Sequence, residues 1–243
     1  MADSASMLGQ RGFLRRVYAD ITRRYGLMNR IITFGMDGGW RRQATEECLA
    51  NKPQKVLDLG CGTGDLTLEL VQQAAENTDI TGVDFSPDML EVAKEKAKRL
   101  TGAKRPSFTS GDAVSLPFPE KHFDSVGSAF AFRNMTYKNP AAERHIAEVL
   151  RVIKPGGRLV IIETSQPKQW LIRKLNHLYL RCFVFWLGWL ISGNRAAYGY
   201  LVDSSINYYS PEELKEIMLR AGFSKVNFRR LFFGAVSIHT ATK

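Results

Sequence analysis

Residues 55–65 read Lys-Val-Leu-Asp-Leu-Gly-Cys-Gly-Thr-Gly-Asp, a short apolar segment running straight into three glycines spaced two apart. Lys55–Leu59 has the length and composition of a buried strand, and Leu66–Glu76 carries a helical pattern. The glycines therefore fall in a strand-to-helix turn, where they let the backbone bend tightly and bring its N–H groups against a ligand. The spacing is G-x-G-x-G, not the G-x-G-x-x-G of dinucleotide sites. A tight turn alone also asks for glycine, so the decision rests on the residues downstream of it.

Beyond the turn, strand-like and helix-like segments alternate. Asp79–Val83 is a second strand, Pro87 opens a helix through Arg99, and Pro106–Ser110 is a third strand. Phe123–Ala129 is a fourth, Ala141–Val152 a helix and Arg158–Glu163 a fifth strand. Such alternation predicts a parallel sheet covered on both faces, with ligands at the carboxyl ends of its strands. The second strand ends in Gly82-Val83-Asp84, about twenty residues beyond the glycines, where a carboxylate suits two ribose hydroxyls. Asp84 could instead cap the next helix, but Ser86 and Asp88 already offer that. After the third strand comes Ser110-Gly111-Asp112-Ala113. An aspartate there can accept from an adenine amino group while apolar neighbours stack on the ring.

Three strand ends, each suited to one part of an adenosine, together resemble the class I S-adenosylmethionine-dependent methyltransferases. The resemblance implies an α/β Rossmann-like fold, a seven-stranded, mostly parallel sheet with one reversed strand. Lys225–Leu231 and Ala235–Thr242, with Gly234 at the turn, would supply its last two strands. It also implies that Gly60, Gly62 and Thr63 cradle the methionine end of S-adenosylmethionine. Asp58 would hold the turn's amides or meet the cofactor's ammonium. Cys61, between two glycines, reads as a small buried filler rather than a reactive thiol.

The acceptor is narrowed by elimination. No N-P-P-Y-like tetrapeptide follows the fourth strand, no cysteine follows a proline, and no spaced Asp/Asn/His set suggests a metal, so none is expected. Instead Phe130, Arg133 and Asn134 in Ala129–Asn134 are similar to the F-G-L-R-N motif of the ubiquinone/menaquinone biosynthesis C-methyltransferases. Tyr25-Gly-Leu-Met28-Asn29, Gly35 and Trp40-Arg41 resemble that family's Y-D-x-M-N…G…W-R pattern. Glu148–Gly157 and the block from Ile191-Ser-Gly-Asn-Arg195 through Tyr198, Tyr200-Leu201 and Ser205-Ile206 extend the likeness over the whole chain. The chain departs at Gly26 (usually Asp), at Asp37-Gly-Gly39 (usually including His-Arg) and at Ala131 (usually Gly). These departures keep another lipid or small apolar acceptor open, as well as a scaffold that binds S-adenosylmethionine without catalysis.

The family transfers a methyl group to a ring carbon of a polyprenylated quinol, either a demethylmenaquinol or a methoxy-polyprenyl-benzoquinol. By that resemblance Arg133 and Asn134 are the catalytic candidates. Asp58, Gly60, Gly62, Thr63, Asp84, Asp112, Ala113 and Phe130 would bind the cofactor; Tyr25, Met28, Asn29 and Tyr200 would meet the acceptor. Arg133, permanently cationic, would favour the phenolate of the ring hydroxyl; the plainer role is a structural ion pair. The four histidines are isolated, none declares itself as base, and a water near Arg133 is the remaining candidate.

Composition agrees. The chain has 243 residues, 44% hydrophobic and 24% charged, which excludes disordered and fibrous classes and permits a sizeable core. Three widely spaced cysteines argue against a disulfide framework, and Met1–Gln10 has no apolar core of a secretory signal. The net charge of +10 sits entirely in the flanks, since residues 52–165 hold as many acidic as basic side chains. Leu178–Ile191, LYLRCFVFWLGWLI, is too short to span a bilayer, which takes about 20 apolar residues. With basic neighbours it suits a membrane–water interface better than a packed core or an RNA surface. The expected layout is a helical lid at 1–51, the cofactor-binding core at 52–165, an apolar helical cap at 166–210 and a closing helix and hairpin at 211–243. The expected place is the cytoplasmic face of an anionic membrane, without nucleic acid, with homodimer and multienzyme assembly both open.

Overall fold

The computed structural model describes Gly12 and residues 26–102 and 104–243. Residues 26–32 are helical, and α1 (Met36–Leu49) precedes the sheet. The order is then β1 (Lys55–Leu59), α2 (Asp65–Gln73), β2 (Asp79–Asp84), α3 (Pro87–Lys98), β3 (Ser107–Ser110) and β4 (Phe123–Ala129). Next come α4 (Phe132–Thr136), α5 (Ala142–Val152), β5 (Ile153–Thr164), α6 (Trp170–Tyr179), α7 (Phe185–Ser192) and α8 (Arg195–Ile206). The chain closes with α9 (Pro211–Arg220), β6 (Lys225–Leu231) and β7 (Val236–Thr242). The seven strands form one sheet in the order β3-β2-β1-β4-β5-β7-β6, with β7 antiparallel to both its neighbours. The expected seven-stranded sheet with one reversed strand is borne out.

Both faces of the sheet are covered, so its central strands bury residues on both sides. Leu57, Leu59, Leu159 and Ile161 point into one core beneath α5 and α9 with Phe132, Val149 and Met218. Val56, Val160 and Ile162 point into the other with Trp40, Leu66 and Leu70. The strand order reverses between β1 and β4, so their carboxyl ends splay apart and leave a crevice there.

Two boundaries differ from expectation by more than one residue. β5 begins at Ile153 rather than Arg158, because Pro155-Gly156-Gly157 is absorbed into the strand next to a register shift against β4. A Cβ on Gly157 would stand 2.8 Å from the Asp124 carbonyl oxygen, so glycine permits the close approach. α2 stops at Gln73 rather than Glu76, since Ala74 turns extended (ψ 153°) after its N–H bonds Leu70 O.

Between β5 and α9 the chain makes three helices. A π-helical turn, Leu180–Val184, joins α6 to α7. Val184, Ala197, Tyr198 and Val202 pack with Met28 into a separate small core. Gly188 lies so close to the Tyr198 ring that a Cβ would overlap it. The outward face is left apolar: Trp170 is 62% exposed, Trp186 55% and Leu190 83%.

Candidate active site

At the β1/β4 crevice, Gly60, Gly62 and Gly64 all take positive φ (69°, 51° and 81°), so the turn requires glycine at each position. A Cβ on Gly60 would also stand 2.7 Å from that of Ala131. Gly60 N and Cys61 N both donate to Val83 O, at 2.9 and 3.0 Å. Gly62 N donates to Asp84 Oδ2 at 2.8 Å, and Ser86 N donates to Asp84 Oδ1 at 2.9 Å. One carboxylate thus ties the glycine turn to the start of α3, while Ser86 caps that helix by accepting from Met89 N. Burial pushes the Asp84 carboxyl above its ordinary range, against these amide donors.

Asp58 does not hold the turn's amides. Its Oδ2 accepts from Thr67 Oγ1 of α2 at 2.6 Å, and Oδ1 is buried with no partner among the described residues. Burial, with a smaller push from the Asp84 charge, raises its pKa to about 7. Cys61 is buried and its thiol pushed well up by burial and by the charges of Asp58 and Asp84, so it stays protonated as a filler. Thr63 joins a cluster the sequence reading missed: Lys96 Nζ donates to Thr63 Oγ1 at 3.0 Å and to Asp65 Oδ1 at 2.6 Å. Asp112 Oδ1 accepts from Val114 N at 3.1 Å.

Asp58, Gly60, Cys61, Gly62, Thr63, Asp65, Asp84, Ser86 and Asp112 line one open cavity of about 1270 Å³, together with Phe85, Met89, Ala113, Asn134 and Met135. A buried carboxylate with an orphan oxygen, glycine amides, two further aspartates and apolar walls fit the cationic, adenosine-bearing S-adenosylmethionine. All eight sequence-predicted cofactor residues are in its lining.

A second cavity of about 920 Å³ lies beside it, lined by residues of α1, the strand ends and the cap helices. Arg41 and Phe130 line both. Phe130 is itself left-handed (φ 56°), its N–H donates to Ile162 O at 2.8 Å, and the Arg41 guanidinium lies 5.7 Å from its ring centroid. The turn into α4 then divides its side chains: Ala131, Asn134 and Met135 face the first cavity and Arg133 the second.

Arg133 is 2% exposed and ion-paired with Glu163, Nε to Oε1 3.6 Å; its N–H donates to Glu163 Oε2 at 3.0 Å and its Nη1 to Ser204 Oγ of α8. The structural ion pair weighed above is thus present, and it forms a wall of the second cavity. Tyr200, expected at the acceptor, lines neither cavity; its OH donates to Asn134 Oδ1 at 3.3 Å. Asn29 lines the second cavity. Met28, expected at the acceptor, is 1% exposed and lines neither cavity, because its side chain packs into the small cap core with Val184 and with Ala197, Tyr198 and Val202 of α8. Tyr25 lies outside the described residues.

Three site residues escaped the sequence reading. Glu163 read only as the end of a strand. Arg41 was legible as half of the Trp40-Arg41 motif but not as a cavity residue. Asp37, noted only as a departure, accepts from Arg41 Nη1 at 2.5 Å and from Thr33 Oγ1 at 3.0 Å. Of the histidines, His239 bonds Pro211 O at 3.0 Å and burial lowers its pKa to about 4, while His145, whose Nδ1 meets Met135 O at 2.8 Å, lines the first cavity.

A reversed-strand sheet of this order with a glycine turn at its switch point is the fold of S-adenosylmethionine-dependent methyltransferases. Among solved structures, such a methyltransferase from Thermotoga maritima superposes with a TM-score of 0.60 at 18% identity, covering 94% of this chain and 99% of that one. The chain belongs to the ubiE/COQ5 methyltransferase family, which it matches over residues 6–243. It is 40% identical to the demethylmenaquinone methyltransferase of Deinococcus radiodurans, over 95% of this chain and 92% of the relative. It is 37% identical to the ubiquinone/menaquinone biosynthesis C-methyltransferase UbiE of Shewanella piezotolerans, over 93% and 89%.

Proposed function

We propose that the chain methylates a ring carbon of a polyprenylated quinol, demethylmenaquinol first, at the inner surface of an anionic membrane. The observation that carries this reading is the second cavity, largely apolar and in contact with the cofactor cavity, roofed by the helices whose outer face is bare and aromatic. The relatives' substrate points the same way. When bound, S-adenosylmethionine supplies a methyl group activated by its sulfonium charge. Asp58, Gly60, Gly62, Thr63, Asp84, Asp112, Ala113 and Phe130 hold it; Asn29 and the Arg133–Glu163 wall orient the ring. Asn134 keeps the two sides in register through Tyr200.

Among the described residues no helix is long and apolar enough to cross a membrane. Contact at the interface fits the cap instead, because its exposed tryptophans stand among cations. Lys174 Nζ lies 4.9 Å from the Trp170 ring centroid, and the Arg195 guanidinium 5.8 Å from those of Phe185 and Trp189. The test is incubation with methyl-labelled S-adenosylmethionine and demethylmenaquinol in vesicles, with the oxidised quinone as the paired arm. Label in the reduced ring alone is expected. Label in neither, with cofactor bound, sends the acceptor to another lipid.

A further inference from the structure

The described lining of the acceptor cavity carries four charged side chains, and they form two arginine–carboxylate pairs: Arg41 with Asp37, and Arg133 with Glu163. The pairs are not equivalent. Arg133 and Glu163 are sealed in, at 2% and 0% side-chain exposure, and Arg133 is further held by Ser204. Arg41 retains 11%, and it borders the cofactor cavity as well. The described residues bond its guanidinium only through Nη1, to Asp37, which leaves further N–H donors of its planar fork for a ligand.

We propose that the two pairs bracket the two oxygens of a 1,4-diol ring, and that Arg41 takes the oxygen next to the carbon that receives the methyl group. This rests on the quinol reading above. The accepting carbon has to face the cofactor cavity, so its neighbouring oxygen falls at the shared wall, which Arg41 and Phe130 supply. That hydroxyl loses its proton to water, and the Arg41 N–H groups donate to the phenolate oxygen, a charge-assisted contact. The ring carbon then forms the new bond to the methyl carbon as the carbon–sulfur bond breaks, its electron pair staying on sulfur. Loss of the ring hydrogen as a proton and return of one proton to the oxygen restore the diol, with one proton released overall. Asp37 is a positioning residue: it fixes the guanidinium and is itself fixed by Thr33.

The experiment uses the full chain, reduced demethylmenaquinol in vesicles, and S-adenosylhomocysteine calorimetry. Arg41→Gln is expected to lower kcat about tenfold or more and to move the pH midpoint of kcat upward by roughly a unit, with affinity for S-adenosylhomocysteine kept within about twofold. Arg41→Lys should recover part of the rate. Asp37→Asn, nearly isosteric, should show a smaller loss of kcat with S-adenosylhomocysteine affinity kept, and it serves should Arg41→Gln not fold. An unchanged pH profile in folded Arg41→Gln, or an unchanged kcat in both variants, overturns the proposal. So does a tenfold loss of S-adenosylhomocysteine affinity with the rate restored at saturating donor, which would make Arg41 the partner of the cofactor's carboxylate. Wild-type protein that binds S-adenosylhomocysteine but methylates no quinol would sink the acceptor reading before any variant is made.

Discussion

Asp58 and Asp84 stand on neighbouring strands along one cavity wall, and their chemistry differs because their donors differ. Asp84 accepts two backbone N–H groups, whereas Asp58 has one hydroxyl and an orphan oxygen. With its pKa raised to about 7, Asp58 favours the folded state most at low pH, and its contribution declines as pH rises from about 4 to 7. A cationic ligand reverses this preference by stabilising the carboxylate. Affinity for S-adenosylhomocysteine, with its α-ammonium, should therefore rise between pH 6 and 8. Binding near pH 6.5 should release a proton, read by calorimetry in buffers of different ionisation heat, and Asp58→Asn should abolish the release. Asp84→Ala removes the acceptor of both Gly62 and Ser86. Donor affinity should fall by about tenfold to a hundredfold, as expected for charged hydrogen bonds, measurable in the same titration.

Residues of this kind were legible because chain order announces them: a carboxylate at or just beyond the end of each of three successive strand segments. Glu163 was not, since its partner Arg133 is brought near only by the pairing of β4 with β5. Met28 shows the opposite error. A motif residue read as touching substrate packs between helices that sequence spacing could not bring together.

The cap helices are the element where packing and function pull apart. Their inner side is tight at Gly188, against Tyr198. Gly188→Ala should overpack this contact and cost about 1–3 kcal/mol, read by chemical denaturation. Their outer side makes no such demand. Trp186→Ser and Trp189→Ser should leave S-adenosylhomocysteine binding untouched while reducing sedimentation with anionic vesicles several-fold. The apolar run was conspicuous in the sequence, yet its division into an inner and an outer face depends on the π-helical turn at Leu180–Val184, which resets the helical phase between α6 and α7. No composition argument reaches that. The Gly-Gly of β5 misled for a related reason, because glycine signals a turn until a neighbouring carbonyl shows that it serves close approach.

At the scale of the molecule, the +10 charge and the aromatic cap predict vesicle binding that weakens as salt rises without vanishing, since the apolar contribution is insensitive to screening. Binding that disappears entirely at high salt would point to charge alone. Among the described residues, the two cavities share only Arg41 and Phe130. A catalyst built this way draws its two reactants from different reservoirs, one dissolved in three dimensions and one confined to two. Its rate should saturate with the bulk concentration of S-adenosylmethionine but follow the mole fraction of quinol in the bilayer. Adding empty lipid at constant total quinol should then slow turnover by surface dilution, even though neither reactant has been removed from the tube.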